Sequence, residues 1–246
     1  MASLLRSSSG GRHTPGAELN TAIIRCRHPC LYTEKMECAI CGIRRPRRFC
    51  PGVRGDICPI CCGTEREVTV DCPLDCEFLR EARKHDKLPS LAEVELPNKD
   101  IEVSEKLLRD HEPLLTYLAA ALLRAALDTP GVTDLDVREA LESLIRTYRT
   151  LQSGVYYESR PANPLALAVY AAVQAASEEF RAEERQRLGM TRTRDGDVLA
   201  LLVFLQHFEL DRNNGRKRGR AFLDALRSFY ESAAPPPETG SSLVLP

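Results

Sequence analysis

The sequence predicts two parts: a small metal-stapled, zinc-binding module with short strands, followed by an all-α helical bundle of about five helices. Three observations carry that expectation. Eight of the ten cysteines fall between Cys38 and Cys76, in the string CAICGIRRPRRFCPGVRGDICPICCGTEREVTVDCPLDC. From residue 101 onward, apolar residues recur three and four apart between clear start and stop signals. Between the two, residues 88–100 (LPSLAEVELPNKD) hold two prolines and little periodicity, as a linker does.

The chain of 246 residues has room for one large domain or two small ones, and 43% hydrophobic with 28% charged residues is ordinary for a soluble globular protein. A formal net charge of −1 excludes a global field drawing nucleic acid or membrane. Charge is less even along the chain. Residues 1–90 carry 15 Lys/Arg against 11 Asp/Glu, and residues 91–246 carry 19 against 24. Zinc bound by four thiolates has a net charge of about −2, so two such sites offset the excess in the first part. Much of the arginine there can balance thiolates. No apolar run reaches the roughly 18–20 residues of a membrane span. The longest, Leu114 to Leu127, is broken by Tyr117 and Arg124. The segment MASLLRSSSGGRHTPG lacks a secretory apolar core. It is Ser/Arg-rich with no acid before Glu18, so an organellar leader is an alternative to a disordered tail over 1–25. The expected localisation is cytoplasmic, where clustered cysteines are more often metal ligands than disulfides.

The cysteine-rich head is expected over 26–87. It opens with Cys26-Arg-His-Pro-Cys30, where Cys26, His28 and Cys30 are either an extra ligand set or two free thiols on a connector. Cys38-x-x-Cys41-Gly42 is a knuckle: two thiolates face one ion while the glycine permits the tight turn. Cys50 stands alone, and Cys58-Pro-Ile-Cys61-Cys62 is a second knuckle with an adjacent thiol. Glu67–Asp71 alternates as a short strand would, Cys72 and Cys76 follow, and Glu77–Lys87 has helical composition. Eight thiolates suffice for two tetrahedral sites. The preferred pairing is interleaved, with Cys38, Cys41, Cys58 and Cys61 on one zinc and Cys50, Cys62, Cys72 and Cys76 on the other.

The run CPICCGTEREVTVDCPLDCEFLREAR resembles a head found in uncharacterised bacterial proteins, which carry a CxxC, a lone Cys-Pro, a CPxCCGTxRE and a CPxDC in that order. The terminal SSLVLP is similar to the tail of those proteins. The resemblance covers about residues 38–83 and the last six, and it implies no activity. The spacing is more distantly similar to cross-brace zinc modules of the HIT and MYND type, which implies protein contacts. The head departs from them at Cys50, which has no partner two residues on, and in having no histidine in place of a cysteine.

Helices follow in order over 101–232. Leu107, His111, Leu114, Leu118, Leu122 and Ala125 form one stripe, in which Pro113 marks a kink or a fresh start and Asp128-Thr-Pro-Gly131 a stop. Thr133 and Asp136 make a capping box ahead of Val137, Leu141, Leu144, Ile145, Tyr148 and Leu151, with Gly154 beyond. Asn163-Pro164 reads as cap and first residue of an alanine-rich helix ending at Gly189. Val198, Leu201, Leu202, Leu205 and Phe208 mark a fourth helix, and Phe222, Leu226 and Phe229 a fifth. Residues 233–246, with three consecutive prolines, read as a disordered tail.

No catalytic set emerges: there is no nucleophile elbow, phosphate loop or HExxH, and His111 and His207 lack a second ligand at a useful spacing. The expected cofactor is Zn2+, two per chain, because paired knuckles suit closed four-thiolate sites. An iron–sulfur cluster is the alternative, since Cys61-Cys62 is similar to cysteine boxes of zinc- and iron-chelating proteins. The leading function is a zinc-binding adaptor whose helical domain meets a protein partner, with the exposed Leu243-Val-Leu245 a candidate docking element. One alternative is a nucleic-acid-binding regulator using Arg44, Arg45, Arg47, Arg48, Phe49 and Arg54, and another is a thiol or iron–sulfur redox protein. A second basic stretch, Arg212–Arg220, reads as a solvated loop between the last two helices.

Overall fold

A computed structural model describes residues 37–86 and 95–233, so Cys26, His28, Cys30 and the Leu243–Leu245 element lie outside the described residues. In chain order the elements are β1 (Arg48–Cys50), β2 (Gly55–Ile57), α1 (Pro59–Glu65), α2 (Glu77–Arg83), α3 (Glu105–Asp110), α4 (Glu112–Asp128), α5 (Asp134–Gln152), α6 (Pro164–Leu188), α7 (Asp195–Arg212) and α8 (Ala221–Ala233).

The expectation of about five helices is corrected to eight among the described residues. Two of the further helices belong to the head: α2 falls within Glu77–Lys87, where composition had placed a helix, and at α1 Cys58 caps by accepting from the Cys61 N–H while Pro59 pre-sets the first turn. The third arises at Pro113. Its ring cannot continue a helix, so α3 ends at Asp110 and α4 restarts with the proline in its first turn.

Short strands form, but not where alternation placed one. β1 and β2 pair antiparallel, with Phe49 opposite Asp56. Residues 67–71 instead curl back: the N–H groups of Val68, Thr69 and Val70 all donate to the Glu65 carbonyl at 3.1–3.2 Å. Only an isolated bridge joins Arg66 and Val70. The hairpin turn sits against this curl at Gly52, where an added Cβ would lie 2.5 Å from the Asp71 carbonyl oxygen.

The helical domain follows local signals closely. Asp136 accepts from the Thr133 N–H at 2.8 Å, Asn163 Oδ1 accepts from the Leu165 N–H at 3.0 Å, and α6 ends on Gly189 at φ 73°. α5 packs on α7 and α6, α4 on α6, and α8 lies across α4, α5 and α7. Leu118, Leu122, Leu141, Leu144, Val169, Leu201 and Phe222 are fully enclosed in the core between them. On α6 the inward face is Ala166, Val169, Tyr170, Val173, Ala176 and Ser177, where the alanines and serine let neighbouring helices approach closely around the one large ring of Tyr170. Its polar members are satisfied, Tyr148 donating to Ser177 Oγ at 2.9 Å. No helix of the described residues is long and apolar enough to cross a membrane.

Candidate metal centre

The knuckles meet because β2 delivers one to the other. The Ala39 N–H donates to the Asp56 carbonyl at 2.9 Å and Arg47 N–H to the Ile57 carbonyl at 3.0 Å, so residues 38–47 wrap the strand that ends one residue before Cys58. Gly42 closes the first knuckle at φ 62°, its N–H donating to the Cys38 carbonyl at 2.8 Å.

This brings the Sγ atoms of Cys38, Cys41, Cys58 and Cys61 within 4.8 Å of one another. Four sulfurs at about 2.3 Å from a tetrahedral zinc are about 3.8 Å apart, so the set can hold one ion after a small contraction. It is the only such group of three or more histidine, cysteine or acidic side chains among the described residues. Cys38, Cys58 and Cys61 are at most 5% exposed, and all eight described cysteines are free thiols.

Electrostatics divide the tetrad. Burial pushes the Cys38 thiol up, but N–H groups of Cys41, Cys58 and Ile40 outweigh it and hold the sulfur down at about 6. The Arg44 and Ile43 N–H groups lower Cys41. Burial, reinforced by the sulfurs of Cys58, Cys41 and Cys38, pushes Cys61 up to about 12. Arg44 answers the excess negative charge: its guanidinium is held further protonated by a hydrogen bond to Cys58 and by the nearby Cys41. Four sulfurs with one cation beside them form a site for a thiophilic metal ion.

The remaining thiols are arranged differently. Cys50 and Cys72 are buried in the same small core, with Cys62 and Cys76 packed against it. Burial raises Cys72, and the charges of Glu67, Cys50 and Cys76 add to this. Cys62 accepts from Arg48 Nη1 at 3.7 Å and from Arg66 Nη2 at 3.8 Å. These four are not drawn together as tightly as the first set.

A second constellation gave no sign in the sequence. Glu67 is wholly buried and held at φ 54°, a conformation uncommon for a residue with a side chain. Its carboxylate accepts from Arg83 Nη2 at 2.6 Å, from Asn214 Nδ2 at 2.8 Å and from the Arg220 N–H at 3.1 Å. Its carbonyl accepts from the Arg218 N–H at 2.8 Å. Around it Arg220 pairs with Asp71, Arg216 with Asp86 and Arg227 with Asp75, while Arg83 reaches Asp224. The expectation of a solvated loop at 212–220 is therefore corrected in part: Arg216 and Arg220 meet acids of the head and the loop clamps it beside α8, while Arg212, Lys217 and Arg218 stay exposed.

The arginine run of the head also divides. Arg48 turns inward, its guanidinium 4.0 Å from the centre of the Phe78 ring, whereas Arg44, Arg45, Arg47, Phe49 and Arg54 are exposed. His111 Nε2 lies 3.7 Å from Asp197, and His207 contacts the Pro97 carbonyl, so both hold helical structure together. No protein-family model, curated protein or solved structure matches this chain significantly.

Proposed function

We propose that this protein is a zinc-binding adaptor: a head stapled by two four-cysteine zinc sites, clamped to a helical domain that binds a protein partner. The observation that carries this is the buried Cys38, Cys41, Cys58, Cys61 tetrad. Four thiolates fill a tetrahedral zinc and leave no position for water, which suits a structural ion. Cys50, Cys62, Cys72 and Cys76 take the second ion, with Cys62 leaving its two arginines to join the others. Their packing in or against one small core and the mutual effect of Cys50, Cys72 and Cys76 support that grouping. The partner-binding role of the helical domain is supported by a groove of about 680 Å³ between α4, α7 and α8. Leu115, Phe204, Phe208, Phe229 and Tyr230 line it, so an apolar helix or extended peptide fits there.

The test pairs metal removal with capture. Zinc-loaded protein is compared with chelator-stripped protein by thermal melting and limited proteolysis, and partner capture is compared between wild type and Phe229→Asp. Stripping should make the head protease-sensitive while the helical circular dichroism persists, and Phe229→Asp should lose a protein that wild type retains. Identical melts and digests with and without zinc contradict the staple, and unchanged capture contradicts the groove.

A further inference from the structure

Thiolate charge accounts for some arginines of the head and leaves others without a role. Arg44 faces the tetrad, and Arg48 and Arg66 face Cys62. Arg45, Arg47 and Arg54 have no ion pair or hydrogen-bonded side chain among the described residues, although most arginines of the helical domain do. Arg48–Cys50 is strand and the Arg47 N–H already donates to the Ile57 carbonyl, so successive side chains there alternate sides. Burial follows that alternation: Arg45, Arg47 and Phe49 are exposed, while Pro46 and Arg48 are half-buried and Cys50 is buried. The outer face therefore carries two guanidiniums and an aromatic ring in a row, neighbours about 6.7 Å apart along the strand. Phe49 is 61% exposed, an open ring on the same face as the two guanidiniums. Beside it lies a shallow hollow of about 360 Å³ lined by Arg45, Pro46, Arg47, Arg48, Phe49 and one carboxylate, Asp56. Arg54 stands exposed across the hairpin turn.

We infer that this face binds single-stranded nucleic acid, with a base stacked on Phe49 and phosphates held by Arg45, Arg47 and Arg54. Row spacing on the scale of one extended nucleotide step and an open ring favour a single strand. A duplex keeps its bases stacked and would leave Phe49 unused, and the described residues of the head offer no helix of groove-reading length: α1 and α2 have seven residues each. An acidic peptide would use the arginines without the ring. The inference rests on the zinc reading only in that the hairpin is anchored by the tetrad. It makes the adaptor a bridge, with nucleic acid at the head and protein on the helices.

The test is fluorescence anisotropy of labelled oligouridine and oligothymidine titrated with zinc-loaded full-length protein over a salt series. A duplex of equal length and an oligoglutamate competitor are run alongside, with zinc content read on every sample. Single strands should bind more tightly than the duplex. Phe49→Ala should weaken binding at least about fivefold, the low end for losing one stacked base. The Arg45→Ala/Arg47→Ala/Arg54→Ala triple variant should flatten the log–log salt slope by about 2, at about 0.7 per lost contact. Absence of saturable binding by zinc-loaded protein, indifference to Phe49→Ala, equal duplex affinity, or displacement by oligoglutamate as effective as by unlabelled oligomer overturns the inference and leaves the zinc reading standing. Binding by protein that carries no zinc supports the surface and overturns the zinc reading.

Discussion

Replacing Glu67 by alanine should loosen the head from the helical domain and cost the protein about 3 kcal/mol. Breaking a buried ion pair by removing one partner typically costs about 3–5 kcal/mol, because the other charge is left behind. Here Arg83 retains Asp224, which places the loss at the lower end. Asn214 Nδ2 and the Arg220 N–H also lose their acceptor. For a protein of this size, about 3 kcal/mol corresponds to a fall of about 6–12 °C in melting temperature. The Glu67→Gln variant keeps an acceptor without the charge and should fall between the two. A double-mutant cycle with Arg83→Ala, followed by thermal melting of zinc-loaded protein, isolates the pair. Since the carboxylate contacts residues of the 212–220 loop, hydrogen exchange in that loop should rise in the same variant. A Glu67→Ala variant within about 1 kcal/mol of wild type, with the loop as protected as before, would refute the clamp.

Other consequences follow from single positions. Asp134 accepts from the Phe222 and Leu223 N–H groups, but burial, with Glu209 and Glu67 nearby adding, raises its carboxyl to about 7. Its pKa is raised on folding, so its contribution is complete below about pH 4 and is lost as pH climbs to about 7, at about 1.4 kcal/mol per pH unit. Asp134→Asn cannot titrate, so its stability relative to wild type should increase across that window in denaturant titrations; a constant difference contradicts this. Gly52→Ala drives a methyl against the Asp71 carbonyl oxygen and should cost about 1–3 kcal/mol by urea unfolding, whereas Gly63→Ala, with open space at its Cβ, should not. Leu141→Ala, at a fully buried site, should lower stability by about 2–5 kcal/mol without changing zinc content.

What could be read from the sequence is what chemistry writes locally. The tetrad was legible because two CxxC knuckles can each turn two sulfurs toward one point, and helix ends were legible at Thr133, Asn163 and Gly189 because caps act within one turn. The hairpin escaped because its outward residues, Arg45, Arg47 and Phe49, are charged or aromatic and no apolar alternation marks the strand. The false strand at 67–71 had the right alternation, but the Glu65 carbonyl captured its N–H groups and the clamp held Glu67 at positive φ. Glu67 itself was invisible, since its partners Asn214 and Arg220 lie 147 and 153 residues away. The basic loop looked solvated for the same reason: composition shows a charge but not the acid that meets it.

The proposed adaptor role depends on the tetrad holding zinc. The most direct measurement is elemental analysis with native mass spectrometry of protein purified without added metal or oxygen, beside a Cys38→Ser/Cys61→Ser variant. Two zinc ions per chain in wild type and one fewer in the variant is the predicted result. Metal-free wild-type protein, iron with inorganic sulfide, or a zinc content that the double substitution leaves unchanged would contradict it.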